Sequence, residues 1–138
     1  MNRARRSLTL ALLLAGCATA PGTAPEALEE RWRYSGEQRV PTVLQVEGVL
    51  AITRQAGDRF EGALDVRRTD ALGQAQRQAG LVVGRRAGTT LDFEVALEGD
   101  VLRHVGVVAG DTVRGTWIDD GALGGALRSG PFTLVRER

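Results

Sequence analysis

Lysine is missing from the 138 residues, so all 18 basic side chains are arginine, and cysteine and histidine occur once each, as Cys17 and His104. A single cysteine excludes an intramolecular disulfide, a thiolate metal cluster and a thiol redox couple. A zinc site of the usual kind needs more His or Cys than the chain owns, so neither a metal nor a cofactor is expected. Nucleophiles are equally scarce: beyond residue 17 the only serines are Ser35 and Ser129. Neither sits in a nucleophile elbow, which a serine hydrolase would need. Two well-placed carboxylates would suffice for acid-base chemistry, but the sequence places them in turns or on outward strand positions, where little would perturb them. Asp119 and Asp120 could offer oxygen ligands, yet no EF-hand spacing follows them, and the pair reads as a solvated turn before Gly121. The expectation is a chain that is not an enzyme.

Charge of one sign is also lacking. Arg3, Arg5 and Arg6 fall in the first six residues, and without them 15 basic groups face 17 acidic ones, a balance of about −2. Arg67-Arg68 and Arg85-Arg86 are too short to form a basic stripe, so there is no footprint for nucleic acid. Arginine used to the exclusion of lysine, beside abundant Ala and Gly, is the mark of a GC-rich genome's codons.

Apolar runs are short, and the first of them is positional. Three arginines within Met1 to Arg6 precede Leu8 to Leu14, and Leu14-Ala15-Gly16-Cys17 follows at once. This is the order of an export signal, with an apolar run far below the roughly 20 residues that a spanning helix requires. The four closing residues resemble the lipobox of bacterial lipoproteins. That resemblance implies cleavage before Cys17, lipidation of its thiol with a diacylglyceryl group, further acylation of the new amine by a palmitate-type chain, and stable membrane anchoring through several chains. Ala18 after the anchor implies the outer membrane, facing the periplasm, if the cell is Gram-negative. An ordinary signal cut after Ala18-Thr19-Ala20 is the alternative, and it would leave Pro21 first in the mature chain. The domain plan is therefore a signal over 1–16, a lipidated cysteine with a Pro- and Gly-containing tether over 17–30, and one folded domain over 31–138.

From Trp32 onward apolar residues alternate with period two, and no long helical period appears. Phe60, Leu64 and Val66 share one face against Glu61 and Asp65, and Leu91 to Leu97 repeats the pattern. Further strands are expected around Trp32 and Tyr34, Leu44 to Ile52, Leu81 to Gly84, Val101 to Val108, Val113 to Trp117 and Phe132 to Val135. Glycine-containing connections at 55–58, 86–89, 98–100 and 109–111 force sequential strands to pair antiparallel. Two longer stretches, 68–79 and 119–129, are expected as mobile loops. Gly57 to Leu64 and Gly110 to Trp117 both read G-D-x-φ-x-G-x-φ, with an inward glycine suited to a sharply bent strand. The fold class is all-β: an antiparallel meander of about eight strands, closing into a small up-and-down β-barrel that leaves no exposed edges. Its outward charges suit water outside and hydrocarbon inside, the reverse of an outer-membrane barrel.

The meander, the triplet Gly115-Thr116-Trp117 and the closing Gly130-Pro131-Phe132-Thr133-Leu134 resemble calycin-type barrels, the group of lipocalins and avidins. Glu30 stands where the lipocalin first-strand signature has glycine before its tryptophan. The resemblance implies a small molecule held at the barrel mouth. Related barrels on some bacterial lipoproteins inhibit lysozymes or proteases, which implies an envelope-protein partner as the alternative.

Aromatic residues are few, at two Trp, three Phe and one Tyr, and Trp32, Phe93 and Trp117 could line a pocket or fill the barrel. His104 depends on register. One register turns Leu102, His104 and Gly106 inward as a ligand contact, and the other buries Val101, Val105 and Val107 together with Arg103. The candidate ligand residues are thus Trp32, Phe93, His104 and Trp117. Three functions stay open: a lipid-anchored, non-enzymatic envelope barrel binding a small apolar or amphipathic ligand, an inhibitor or interaction module acting through its loops, and a hydrolytic enzyme.

Overall fold

The computed structural model describes residues 30–40, 42–119 and 127–138. Eight strands follow one another without a helix among the described residues: β1 (Arg31–Gln38), β2 (Leu44–Ala56), β3 (Arg59–Thr69), β4 (Ala75–Ala87), β5 (Thr90–Leu97), β6 (Asp100–Ala109), β7 (Thr112–Asp119) and β8 (Arg128–Arg136). Each pairs antiparallel with the next, and β8 returns to β1, so the sheet is a closed barrel in meander order. The expected architecture is the observed one. Alternation gives its reason: along β5, Leu91, Phe93, Val95 and Leu97 are buried while Thr90, Glu94 and Ala96 are exposed.

The core is the barrel interior, filled by side chains such as Leu50, Phe60, Leu64, Leu91, Val95 and Leu134. Outside, oppositely charged residues meet across strand pairs: Arg77 Nε donates to Asp65 at 2.9 Å, and Arg103 Nη2 to Asp92 at 2.7 Å. These arginines hold both carboxyls below the ordinary aspartate value, so the outward carboxylates are more perturbed than their exposure suggests. Apolar residues also reach the outer face, at Leu81 and Val83 of β4 and at Val101, Val105 and Val107 of β6.

The G-D-x-φ-x-G-x-φ repeat has a physical basis in both copies. Gly57 and Gly110 begin two-residue turns with φ of 62° and 60°, a conformation that glycine adopts without penalty. Further along, a Cβ on Gly62 would lie 2.2 Å from Ala51 O, and one on Gly115 would lie 2.0 Å from Val105 O. The backbone of the adjacent strand occupies that space, so both strands can bend only because no side chain is present. A register shift between Ile52 and Arg54 adds a bulge to β2 and sharpens the same corner.

One expected loop is mostly strand. Within 68–79, Arg68 pairs with Gln76 and Thr69 with Ala75, which leaves only residues 70–74 as the connection. Asp70 makes so short a turn possible, because its carboxylate accepts from the amides of Leu72 at 2.9 Å and Gln74 at 2.8 Å. The polar run Gln74 to Gln78 hides this strand by masking its alternation. Of the other expected loop, 119–129, residues 120–126 lie outside the described residues, while Asp119 belongs to β7 and Arg128 and Ser129 to β8. The signal, Cys17 and the tether also lie outside them, apart from Glu30.

Candidate functional site

An up-and-down order gives the barrel two different ends. The closed end holds the tight turns at Gly57, Gly88 and Gly110 and the start of β1. There Trp32 is buried, and the Arg136 guanidinium lies over its ring at 4.8 Å. The other end, the mouth, is framed by the connections after β1, β3, β5 and β7.

Side chains of inward parity at the mouth ends of the strands are polar instead of apolar. Gln38 follows Trp32 and Tyr34 on β1, Arg68 follows Leu64 and Val66 on β3, and Gln78 precedes Val82 on β4. They join in one layer. Arg68 donates to Gln38 Oε1 at 3.1 Å and to Gln78 Oε1 at 3.3 Å, and Gln78 Nε2 donates to Glu98 at 3.0 Å. Gln38 Nε2 donates to the Thr42 carbonyl at 3.3 Å. Across the opening Arg128 bridges Asp119, at 2.8 Å from its Nε, and Asp100, at 2.6 Å from an Nη. The sequence suggests a solvated turn at Asp119, but the residue is buried at the end of β7 because Arg128 supplies a countercharge.

Beneath this layer lies His104, 1% exposed, which settles the open register in favour of Leu102, His104 and Gly106 facing inward. This register leaves Arg103 outside, bonded to Asp92, and the opposite one would have buried that cation. The imidazole has a defined tautomer. Its Nδ1 lies 3.2 Å from the Leu102 carbonyl, an acceptor only, so Nδ1 carries the proton and Nε2 accepts from the Tyr34 hydroxyl at 3.1 Å. Burial pushes the His104 pKa down to about 4 and the Tyr34 pKa well above its ordinary value, so both stay neutral. The ring stacks on Phe93 with centroids 4.6 Å apart and meets Phe132 edge-on at 5.0 Å. Trp117 lies 6.4 Å away and donates its Nε1 proton to the Glu37 carbonyl at 3.2 Å.

Of the four residues singled out from sequence, His104, Phe93 and Trp117 therefore come together. Trp32 stands apart at the closed end, and its Nε1 has no hydrogen-bond partner among the described residues. Tyr34, Gln38, Arg68, Gln78 and Arg128 escape a reading of the sequence by residue type, although strand parity extended to the mouth would have turned the first four inward.

Between the aromatic cluster and the polar layer is a cavity of about 30 Å³, lined by residues that include Tyr34, His104, Trp117, Leu102, Arg68 and Arg128. It has room for roughly one water molecule. Among the described residues the barrel interior is thus packed, with this small space just beneath the mouth. A broader depression of about 750 Å³ on the outer face, bounded by Arg31, Glu47, Ala63 and Arg77, is open surface. Two of its arginines are already paired, Arg77 with Asp65 and Arg31 with Glu137, so the mouth is the stronger candidate. Among the described residues no group of three or more His, Cys, Asp or Glu is placed to hold a metal ion.

No known family matches the sequence, and no curated protein matches it. Solved structures do match in fold. The structure of EF1p2_mFAP2b bound to DFHBI matches with a TM-score of 0.63 and 13% identity, over 80% of this chain and 94% of that one. A de novo designed fluorescence-activating β-barrel matches with a TM-score of 0.60 and 12% identity, over 78% and 92%. The bradavidin2-biotin complex matches with a TM-score of 0.53 and 16% identity, over 78% and 96%. At such identities the likeness concerns the fold: the chain is a small antiparallel β-barrel similar to avidin-type and designed fluorescence-activating barrels.

Proposed function

We propose that this chain is a lipid-anchored, non-enzymatic protein of the cell envelope whose barrel binds a small ligand at its mouth. The observation that carries the binding half is the convergence of Tyr34, His104 and Trp117 on a cavity beneath a layer of hydrogen-bonded polar side chains. Rigid aromatic walls with a few fixed polar groups are the usual make-up of a small-molecule site. Two of the similar barrels are described as complexes with a small molecule, DFHBI in one and biotin in the other, which supports the same use of this fold. The anchoring half rests on Leu14-Ala15-Gly16-Cys17, and it implies the outer membrane, periplasmic side, in a Gram-negative cell.

The packed interior restricts the ligand. Only a small group fits inside without rearrangement, so the rest of the molecule lies at the rim, where Val40, Val43 and Leu127 are exposed. Those rim residues also favour a second reading, in which an envelope protein docks on the mouth.

Native mass spectrometry of the full chain and of Cys17→Ser tests both halves. The wild type should carry acyl mass that Cys17→Ser lacks, and both should retain a small molecule on purification. Acyl mass persisting in Cys17→Ser refutes the anchor. A bare barrel that instead captures an envelope protein at its rim refutes the ligand.

A further inference from the structure

We infer that the mouth is built for an amphipathic anion, its carboxylate paired with Arg68 and its apolar part laid on the rim. This rests on the small-ligand reading above and supplies the ligand's chemical class.

Arg68 and Arg128 are the only charged residues lining the mouth cavity among the described residues, and no carboxylate lines it there. Arg128 is committed, since Asp119 and Asp100 both hold its guanidinium. Arg68 is placed differently. Its two hydrogen bonds end on the amide oxygens of Gln38 and Gln78, and among the described residues it has no ion-pair partner within 4 Å. Glu98, the first acid to act on it, spends an oxygen on Gln78. A half-buried guanidinium whose hydrogen bonds end on neutral groups faces a second guanidinium across a small space; burial and the Arg128 charge disfavour it, and Glu98 and Asp100 offset this only in part.

An incoming carboxylate would give Arg68 the ion-pair partner it lacks among the described residues. The present bonds of 3.1 and 3.3 Å are long beside the roughly 2.7–2.9 Å of charge-assisted pairs, which are about twice as strong. A planar carboxylate also matches the guanidinium fork, and two glutamine side chains can swing aside without leaving a buried charge. The cavity of about 30 Å³ takes a headgroup only once the Gln38 and Gln78 side chains give way, and it excludes a tail. The tail then meets Val40, Val43 and Leu127 outside.

The test uses the full chain carrying Cys17→Ser and three probes built on an eight-carbon chain, octanoate, octanol and octyltrimethylammonium, each followed by tryptophan fluorescence because Trp117 borders the cavity. Octanoate should bind roughly tenfold tighter than either other probe, and Arg68→Gln should abolish that preference. The comparison of probes on the parent chain needs no Arg68 variant, so a folding defect in Arg68→Gln does not blunt it. Octanol binding as tightly as octanoate, or the cation binding best, overturns the anion assignment and leaves small-ligand binding standing. Failure of all three probes to bind overturns both.

Discussion

At the closed end Trp32 lies under the Arg136 guanidinium, two-residue turns tie the strands together, and the core reaches almost to the surface. At the mouth the inward positions of the same strands turn to Gln38, Arg68 and Gln78, and the aromatic side chains stop short of filling the space. Both ends obey one alternation rule, yet one carries stability and the other keeps groups that can exchange partners. Apolar packing is lost when any part of it moves, whereas side-chain hydrogen bonds can be traded for others at little net cost.

The sharpest way to break this contrast is to truncate an aromatic residue at each end. Trp32→Ala should lower stability by about 3 to 5 kcal/mol in urea unfolding, the usual loss for a fully buried tryptophan. Trp117→Ala should fall clearly short of that, because its side chain already borders a void. Equal losses would erase the distinction between the ends.

Acid offers the next largest effect, and it reports on the layer between them. His104 has a folded pKa of about 4 against an ordinary 6.5, so the unfolded chain binds more protons throughout that window. Stability from this group is therefore full above the unfolded pKa and is lost as pH falls toward 4. Between pH 7 and pH 5 the loss should be about 2 kcal/mol, and His104→Gln should flatten it. An unchanged slope in the variant would mean that other groups carry the acid sensitivity.

Tyr34→Phe removes the donor to His104 Nε2 and should cost about 1 kcal/mol, near the low end for a buried unpaired acceptor, because the adjacent cavity admits water. A much larger loss would show that the Tyr34 hydroxyl belongs to the rigid core. Smallest of all, Arg77→Ala should leave the urea midpoint unchanged, since its partner Asp65 lies on the open outer face.

Most of the fold was legible because strand alternation and glycine turns are local signals, and Phe60 to Val66 or Leu91 to Leu97 state them plainly. The mouth was not, because its polar residues disguise strands as loops: Gln76 and Gln78 look like a connection until their pairing with Arg68 and Val66 is known. His104 needed the same information. Its face depended on whether Arg103 could reach Asp92, and that is a relation between strands which no single segment contains. Trp32 falls in with Phe93 and Trp117 on sequence grounds because sequence records residue type but not height along a barrel.

The chain enters the barrel at Arg31 beside the Arg136 end of β8, where Glu137 donates its amide to the Arg31 carbonyl at 2.9 Å. Glu30 and the mouth thus stand at opposite poles of the barrel, so the first strand runs its full length from the Trp32 end before it reaches the polar layer at Gln38.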